Sequence, residues 1–503
     1  MSGSTVHRVH IEFLRVQAWL FAVPRLRAMV GANALLGEVL RVELPELARE
    51  MGRGWSLNSV QGQFPCADQN DPLSNHDDPA ADAQDGILAR DGGHFEAQFK
   101  SGAKAFAEAA GQLLRTRLPD LRFRISIDGE TRTRTGAHLS TELPVLTPCE
   151  WTGRGLASTI IKQGDERPAV SLDVEARHDA AKRTEDGTAK DLASLLSAKT
   201  RLAKLERPSE LKELVGKGYL ALVHADGNGV GSGAGKSDGE RAAFFHRNRV
   251  LLRRAVKKAI DAHCPDTGRA PLIPLMLGGD DLLLLCRAEI ALPFVVTLCQ
   301  ELDELQKGSN SFKLTLGIGV VIAKRTIPIH RLHEVVEQLA GSAKRRFRGL
   351  KDAGEKSRSV VDWAVYSTAW VDDPDVVRRR DWLRGREGEL RVLSQRPVDV
   401  LGQGLDSLQG LVRGAEQLTS APRSQLRYLV DQLPRGRALS ELAFAELPQK
   451  AKQPLAQAGV GEVWRRAGDA WTTALLDLIE IAEIGHLGRQ SERADTEQEA
   501  NHV

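Results

Sequence analysis

The sequence has few of the features that mark secreted or membrane-spanning proteins. Its 503 residues include five cysteines. None forms a CxxC pair, and an odd number at irregular spacing argues against a secreted disulfide scaffold. The first apolar stretch carries Glu12 and Arg15, which a signal peptide would lack. No apolar run reaches the roughly 18 residues that a membrane span needs. We therefore expect a cytoplasmic protein with no membrane segment.

The sequence also lacks an excess of charge of either sign. Lys and Arg total 69, Asp and Glu total 67, and the formal net charge is +2. The overall charge therefore does not predict a nucleic-acid coat protein, and any basic surface must be local. Apolar residues make up 42% of the chain, enough for ordinary packed cores, and the length predicts several domains.

The hydrophobic pattern occurs twice along the chain. In the first copy we predict a strand (6–14), a helical stretch broken near Gly31 (23–51), a long loop (52–85) and a hairpin that turns at Asp91-Gly92-Gly93 (86–99). A helix (103–117) and a strand (121–127) follow. In the second copy we predict a strand (218–225), a helix (239–262), a hairpin (272–286), a helix (290–305) and a strand (312–322). A further helix (329–348) and strand (359–366) follow. The shared order of strand, helix, hairpin, helix and strand is that of a ferredoxin-like unit.

The hairpin of the second copy turns at Gly278-Gly279-Asp280-Asp281, and Asp226 ends the first strand of the same copy. In a ferredoxin-like sheet these strands are neighbours, so the carboxylates can converge and hold two divalent metals about 3.5–4 Å apart. The pattern predicts a palm-type nucleotidyl polymerase or cyclase that uses Mg²⁺ or Mn²⁺, with Asp226, Asp280 and Asp281 as catalytic residues. The predicted metal ligands are Asp226, Gly227, Asp280 and Asp281. The alternative is a simple tight turn, since Gly and Asp favour turns in any case.

Nucleotide binding is predicted for glycines near these acids and for one lysine. The stretch 227–235 is glycine-rich, and backbone N–H groups that open onto a helix suit phosphate oxygens. Glycines in the hairpin let a nucleotide approach the backbone, and Lys344 can reach a terminal phosphate. The alternative for Lys344 is a solvated basic helix end that complements the helix dipole. The predicted nucleotide-binding residues are Gly227, Asn228, Gly229, Gly278, Gly279 and Lys344.

A P-loop nucleoside triphosphatase remains an alternative. The run from Val230 to Ser237 follows a strand and resembles G-x-x-x-x-G-K-[ST], with Val230 in place of the first glycine. Lys236 would then be essential for activity, whereas in a palm enzyme Asp280 would be.

The segments His224-Ala-Asp226-Gly-Asn-Gly, Leu277-Gly-Gly-Asp-Asp281-Leu and Ala343-Lys344 resemble the second palm of the large subunit of type III CRISPR effector complexes, and more distantly GGDEF diguanylate cyclases. The resemblance implies an enzyme that condenses ATP into 3′–5′-linked cyclic oligoadenylates in antiviral defence, with other CRISPR effector subunits, guide RNA and target RNA as partners. It also implies that the first copy is a degenerate palm, with Leu14-Arg15 at its strand end and His94 where an acid belongs, which could still support a second nucleotide. The HD phosphohydrolase domain of many members is not expected in this chain.

We therefore expect an α+β protein with two ferredoxin-like palm domains, an irregular and helical insert, and a helical C-terminal domain. The expected segments are a degenerate palm (1–127), the insert (128–217), a catalytic palm (218–370), the helical domain (371–487) and a disordered tail (488–503). The expected function is synthesis of cyclic or linear oligonucleotide messengers from ATP or another NTP. The alternatives are a non-catalytic scaffold subunit and a diguanylate-type cyclase, against which Leu282 after Asp281 argues weakly. The sequence leaves open the base, the ring size and the linkage.

Overall fold

The structure is a computed structural model that describes residues 6–52, 63–134, 147–153, 155–162, 165–216, 218–308, 312–367, 373–385 and 389–486. The chain forms two compact units. One comprises Met1–Leu211, Gly229–Ala270 and Pro274–Leu283; the other comprises Lys212–Asn228, Pro271–Ile273 and Leu284–Val503. The predicted domain bounds stay predictions, and the predicted tail over 488–503 lies outside the described residues. Within the described ranges, no helix is both long and apolar enough to cross a membrane.

The first copy of the repeat forms a five-stranded sheet with the order β2-β3-β1-β4-β5. Its elements are β1 His7–Leu14, α1 Val16–Leu20, α2 Leu26–Glu38, α3 Leu44–Met51, α4 Pro79–Gln84, β2 Ile87–Ala89, β3 His94–Phe99, α5 Ala103–Arg117, β4 Arg122–Ile127 and β5 Glu130–Arg134. The predicted hairpin and the predicted helix over 103–117 are confirmed.

One face of this first sheet is apolar and the other is polar. In β1 every second residue, Val9, Ile11 and Phe13, is buried, because successive side chains of a strand point to opposite faces. The alternate residues of β1 therefore line the polar face. The predicted half-buried strand is confirmed.

In its described residues, the segment after the first sheet contains β6 Thr159–Ile160, β7 Ala169–Val170, α6 Leu172–Glu185, α7 Leu192–Ser197, a 3-10 turn over Arg201–Lys204 and α8 Leu211–Val215. The predicted break near Gly31 is wrong. The helix α2 runs through Gly31, and a Cβ added there would collide with the backbone carbonyl of Arg177 in α6. The glycine therefore permits close packing of α2 on α6 rather than ending a helix.

The predicted long loop over 52–85 is wrong at its C-terminal end. Residues 79–84 form α4, whose first N–H groups are capped by the side chain of Asp78. Asp71 and Asp77 are buried, which a solvated loop would not produce. The predominantly polar composition hid this order because the stabilising partners lie far along the chain.

The second copy contributes to a six-stranded sheet with the order β15-β12-β11-β8-β10-β9. Its elements are β8 Tyr219–Gly227, α9 Val230–Gly233, α10 Asp238–His263, β9 Leu272–Gly278, β10 Asp281–Arg287, α11 Ala288–Glu304, β11 Leu316–Lys324, α12 Ile329–Asp352 and β12 Val360–Tyr366. The order β11-β8-β10-β9 equals the order β4-β1-β3-β2 of the first sheet, so the predicted internal repeat is confirmed at the level of topology.

The C-terminal part is largely helical, as predicted, but it also contains a small sheet with the order β13-β14-β17-β16. The strands of the C-terminal part are β13 Leu383–Arg384, β14 Leu390–Val392, β15 Val398–Asp399, β16 Arg465–Ala467 and β17 Ala470–Thr472, of which β15 belongs to the six-stranded sheet. The helices are α13 Pro374–Val377, α14 Leu408–Gln417, α15 Arg423–Gln432, α16 Arg437–Ala445 and α17 Gln449–Gln457. Residues 475–486 are also helical. Strands of two or three residues are too short to produce a detectable alternation.

Candidate active site

Asp226, the predicted catalytic residue on the second sheet, makes an ion pair with Lys344. Asp226 is the penultimate residue of β8, and the Nζ of Lys344 in α12 donates to its Oδ2. The two side chains are 27% and 31% exposed. Burial and the nearby Arg348 lower the pKa of Lys344, while the carboxylate acts in the opposite direction. The structure thus brings these two predicted residues together, and Lys344 is not merely a solvated helix end.

Two glycines of β11 allow α12 to lie this close. In the antiparallel pairing of β11 with β8, Gly317 lies opposite Asp226 and Gly319 opposite His224. A Cβ added at Gly317 would lie 2.6 Å from the Cγ of Lys344, and one at Gly319 would lie 2.7 Å from the backbone nitrogen of Ala340. The sequence analysis did not assign these glycines a role. Their signal was a Gly-x-Gly spacing inside an apolar strand, which marks close approach by another backbone.

A second ionic contact links the same strand to the same helix two turns earlier. The Nδ1 of His224 lies 2.8 Å from Oε1 of Glu337, and Nε2 of His333 lies 3.6 Å from the same oxygen. Burial lowers the pKa of His333 to about 4. For Glu337, burial raises the pKa, but the hydrogen bond and charge of His224 outweigh it, and the net shift is downward. These contacts fix the register of α12 on β8, and sequence analysis missed Glu337 and His333.

Asn228, a predicted nucleotide-binding residue, is 2% exposed. Its backbone N–H donates to the carbonyl of Thr315 at 2.7 Å, and its Nδ2 lies 3.3 Å from Oγ1 of Thr315. Its Oδ1 is buried and has no hydrogen-bond partner in the described part of the chain. A Cβ at Gly317 would lie 2.9 Å from this oxygen. An unpaired, buried amide oxygen beside the Asp226 region is the kind of ligand that a hard cation binds.

The Gly-Gly-Asp-Asp turn joins β9 to β10, and Gly279 takes the left-handed conformation that favours glycine, with φ of 59°. In the first unit this turn meets the Asp91-Gly92-Gly93 turn, since a Cβ added at Gly278 would lie 3.8 Å from the backbone nitrogen of Gly92. The strand β10 begins at Asp281 and is the neighbour of β8 in the sheet order. Gly279 and Asp280 line a cavity of the first unit.

This cavity has a volume of about 500 Å³, within the usual range for small-molecule sites. Its apolar side includes Phe64, Leu88, Ala242 and Phe245. Its polar side is the polar face of the first sheet together with the turn and α10, and comprises Arg8, His10, Asp91, His94, Glu96, Asp238, Arg241, Arg249 and Asp280. A pocket with one apolar side and one polar side suits a ligand with a flat apolar part and a charged part.

The acid of the first hairpin is neutralised. The Nη1 of Arg41 donates to Oδ1 of Asp91 at 2.7 Å, and the Arg41 side chain is only 6% exposed. A carboxylate held by a buried guanidinium is poorly suited to hold a metal as well. This contact agrees with the resemblance-based expectation that the first copy is degenerate.

A buried ionic network stands behind the cavity. Asp77 accepts hydrogen bonds from Arg249 at 2.6 and 2.7 Å and from Arg253 at 2.6 Å, and Arg253 also donates to Asp71 at 2.8 Å. Burial raises the pKa of Asp77, but the hydrogen bond to His246 and the two arginines hold it far below its usual value. The network ties α10 to the 63–85 segment. No local sequence pattern indicated this network.

The helix start at Lys236 and Ser237, just after the glycine-rich stretch, is already capped. The backbone N–H groups of Lys236 and Ser237 both donate to Oε2 of Glu240 at 3.0 Å, and Oγ of Ser237 accepts from the N–H of Glu240 at 3.2 Å. This capping box satisfies the first N–H groups of α10. The N–H groups that a P-loop would offer to phosphate at Lys236 and Ser237 are therefore already used.

Residues 219–353 match the family model for the second palm domain of Cas10/Cmr2. No curated protein sequence matches the chain. Among solved structures, Csm1 of T. onnurineus is 13% identical over 95% of this chain and 70% of its own, with a TM-score of 0.47. A Csm1–Csm4 cassette in complex with cA4 is 13% identical over 95% and 70%, with a TM-score of 0.45. A Csm1–Csm4 subcomplex of the type III-A CRISPR-Csm interference complex is 14% identical over 95% and 70%, with a TM-score of 0.40. Because the matched segment holds Asp226, the Gly-Gly-Asp-Asp turn and Lys344, the chain resembles the large palm subunit of type III CRISPR effector complexes.

Proposed function

We propose that this protein is a metal-dependent nucleotidyltransferase that condenses ATP or another NTP into cyclic or linear oligonucleotide messengers in CRISPR-type antiviral defence. The observation that carries the proposal is the pairing of Asp226 with Lys344 inside a segment that matches the second palm of Cas10/Cmr2. The cavity of about 500 Å³ that Gly279 and Asp280 line also supports the proposal.

The donors around Asp226 fit Mg²⁺ or Mn²⁺. They are hard oxygens, namely the Asp226 carboxylate and the unpaired Oδ1 of Asn228; Asp280 and Asp281 remain predicted ligands. Across the described residues, no three His, Cys, Asp or Glu side chains are gathered into a ready metal site. Mg²⁺ usually takes one or two carboxylates and completes its shell with waters and substrate phosphates. When bound, such a metal would acidify the attacking hydroxyl and neutralise phosphate charge.

The residues of α12 supply positive charge for a triphosphate. Lys344 can leave Asp226 when a cation replaces it and then bind a phosphate as a point charge. Arg348 lies one turn later and is exposed, and the described contacts include no ion pair for it. Its influence on the pKa of Lys344 shows that the two cations are near each other. A phosphate between them would relieve their repulsion.

The cavity of the first unit is the proposed place for a nucleotide. Its aromatic side suits a base, which binds by stacking, and its polar side with Asp280 suits the ribose and phosphates. Because Asp91 is committed to Arg41, the first copy would bind rather than supply metal chemistry. Other CRISPR effector subunits, guide RNA and target RNA are proposed partners by family resemblance.

The test incubates the full chain with each NTP and Mg²⁺ or Mn²⁺, alone and with RNA-bound partner subunits, and identifies products by mass spectrometry. We expect oligonucleotides from wild type and none from an Asp280→Ala/Asp281→Ala double variant. Lys236→Ala should retain activity, because Lys236 belongs to a capped helix start. If the double variant and wild type give the same product profile, the proposal is wrong. If instead Lys236→Ala abolishes NTP hydrolysis, the P-loop alternative gains support. A chain that assembles with its partners yet forms no product in any mixture is the scaffold alternative.

A further inference from the structure

Two histidines face each other on the polar side of the first sheet. The rings of His10 in β1 and His94 in β3 are nearly parallel, with centroids 5.3 Å apart and an interplanar angle of 13°. The Nε2 of His10 lies 3.2 Å from Nδ1 of His94. One of these nitrogens donates and the other accepts, so the pair fixes the orientation of both rings. Both side chains line the 500 Å³ cavity.

The position of His94 corresponds to that of a catalytic acid in the second copy. His94 is the first residue of β3, as Asp281 is the first residue of β10. The two turns that precede these strands touch at Gly92 and Gly278. His94 and Asp280 line the same cavity. A ligand bound at the Asp280 turn therefore has an imidazole in the same cavity.

The charged groups that face His94 are paired. On the sheet, Glu12 is paired with Arg124 and Glu96 with Arg8. From α10, Asp238 faces it and is paired with Arg8 and Arg241. From the 63–91 segment, Asp77 is paired with Arg249, Asp82 with Arg90, and Asp91 with Arg41. Asp280 faces it from the other turn.

The imidazole pair is thus available for proton transfer. Burial and then His10 lower the pKa of His94, against the opposing effect of Glu12 and Glu96. His94 is therefore neutral, and able to accept a proton, at neutral pH.

We infer that His94 is a general base for nucleotidyl transfer and that His10 is the positioning residue that holds its reactive tautomer. This inference rests on the proposed function. The attacking 3′-hydroxyl gives its proton to Nε2 of His94, and its oxygen forms a bond to the α-phosphorus of the second nucleotide. The bond from that phosphorus to the oxygen bridging to the β-phosphate breaks, and pyrophosphate leaves with the electron pair.

The tautomer follows from the observed hydrogen bond. For Nε2 of His94 to carry a free electron pair, its Nδ1–H must donate to Nε2 of His10. After proton transfer the imidazolium keeps that donation, and the carboxylates of Glu12 and Glu96 stabilise its charge. His94 thereby acts as a general base in the first copy, at the position where the second copy has an acid.

The first experiment measures kcat, KM and the pH–rate profile of the full chain in its active assembly. The variants are His94→Gln, His10→Gln and, as a matched control, His7→Gln, an exposed histidine of the same strand. A general base contributes about 10²–10⁴-fold, so His94→Gln should lower kcat about 100-fold with little change in KM and lose the fall in rate on the acid side. His94→Gly should recover activity when imidazole is added, which a packing role would not produce. An unchanged acid limb in His94→Gln, or no response to imidazole, overturns the inference.

The second experiment needs no turnover. Histidine side-chain NMR follows the titration of His94 in complexes with a non-cleavable ATP analogue and with its 3′-deoxy counterpart. We expect the His94 titration to differ between the two complexes, because only one offers the hydroxyl to Nε2. Identical titrations overturn the inference while leaving the proposed function standing, since the latter fails only if the Asp280→Ala/Asp281→Ala variant keeps its products or if no nucleotide binds.

Discussion

The two glycines of β11 permit a sharp test of how α12 is held on β8. They lie two residues apart on the same face of one strand, but a new methyl group would meet different obstacles. At Gly319 the nearest atoms belong to the backbone of α12, including the nitrogen of Ala340 at 2.7 Å. At Gly317 they belong to the side chains of Lys344 and Asn228. A backbone cannot move without shifting the helix, whereas a side chain can change rotamer.

Gly319→Ala should therefore destabilise the protein more than Gly317→Ala. Overpacking costs about 1–3 kcal/mol, and replacing glycine returns about 0.4–1 kcal/mol by restricting the unfolded chain. We expect a net loss of about 2 kcal/mol for Gly319→Ala, which would speed hydrogen exchange of β11 and α12 amides about 30-fold. For Gly317→Ala the cost is smaller because side chains rather than the helix backbone give way, and Lys344 is displaced from Asp226. Nucleotidyl transfer should therefore fall, while exchange speeds up less than in Gly319→Ala.

The measurement is hydrogen-exchange mass spectrometry of peptides from 316–324 and 329–352, with product formation assayed in parallel. Peptides from the first sheet serve as the internal control, since neither glycine touches it. Equal exchange in both variants, or faster exchange in Gly317→Ala than in Gly319→Ala, would refute the close-approach explanation.

Three further outcomes are expected. Asp77→Asn should lower the free energy of unfolding by about 3 kcal/mol, because it removes the carboxylate that Arg249 pairs with and leaves the buried guanidinium of Arg253 with Asp71 alone; a thermal transition at the wild-type temperature would contradict the ion network. His333 has a pKa lowered from 6.5 to about 4, so between those values the unfolded chain binds a proton that the folded protein does not, and wild type should lose up to about 3 kcal/mol as the pH falls through that window. His333→Gln should lack this part of the loss, and an identical pH dependence in both proteins would count against it. Cys66 is exposed and the other four cysteines are buried, with burial raising the pKa of Cys264 to about 12; a thiol reagent should label one cysteine per folded molecule and five after denaturation, and fast labelling of a second would show that the packing is looser than described.

The sequence by itself determined the features that depend on neighbours along the chain. The alternation in β1, the helix over 103–117 and the turn at Gly278-Gly279-Asp280-Asp281 each follow from periodicity or from residues that favour turns, and the repeat of the same order predicted two sheets of the same topology. These features could be read because a period of 2 or 3.6 residues is written in consecutive side chains.

Only the tertiary structure decided which residues meet. Asp226 and Lys344 are 118 positions apart and Asp77 and Arg253 are 176 apart, and no local pattern encodes such contacts. The sequence placed a break at Gly31, where the structure has a continuous helix packed against another, because the same residue type serves both purposes. It showed Lys344 as either a phosphate ligand or a solvated helix end. The packing of α12 on β8 at the glycines of β11 places its ammonium group against Asp226, and phosphate binding stays a prediction. Close approach of distant backbones is a property of packing, and packing depends on the whole fold.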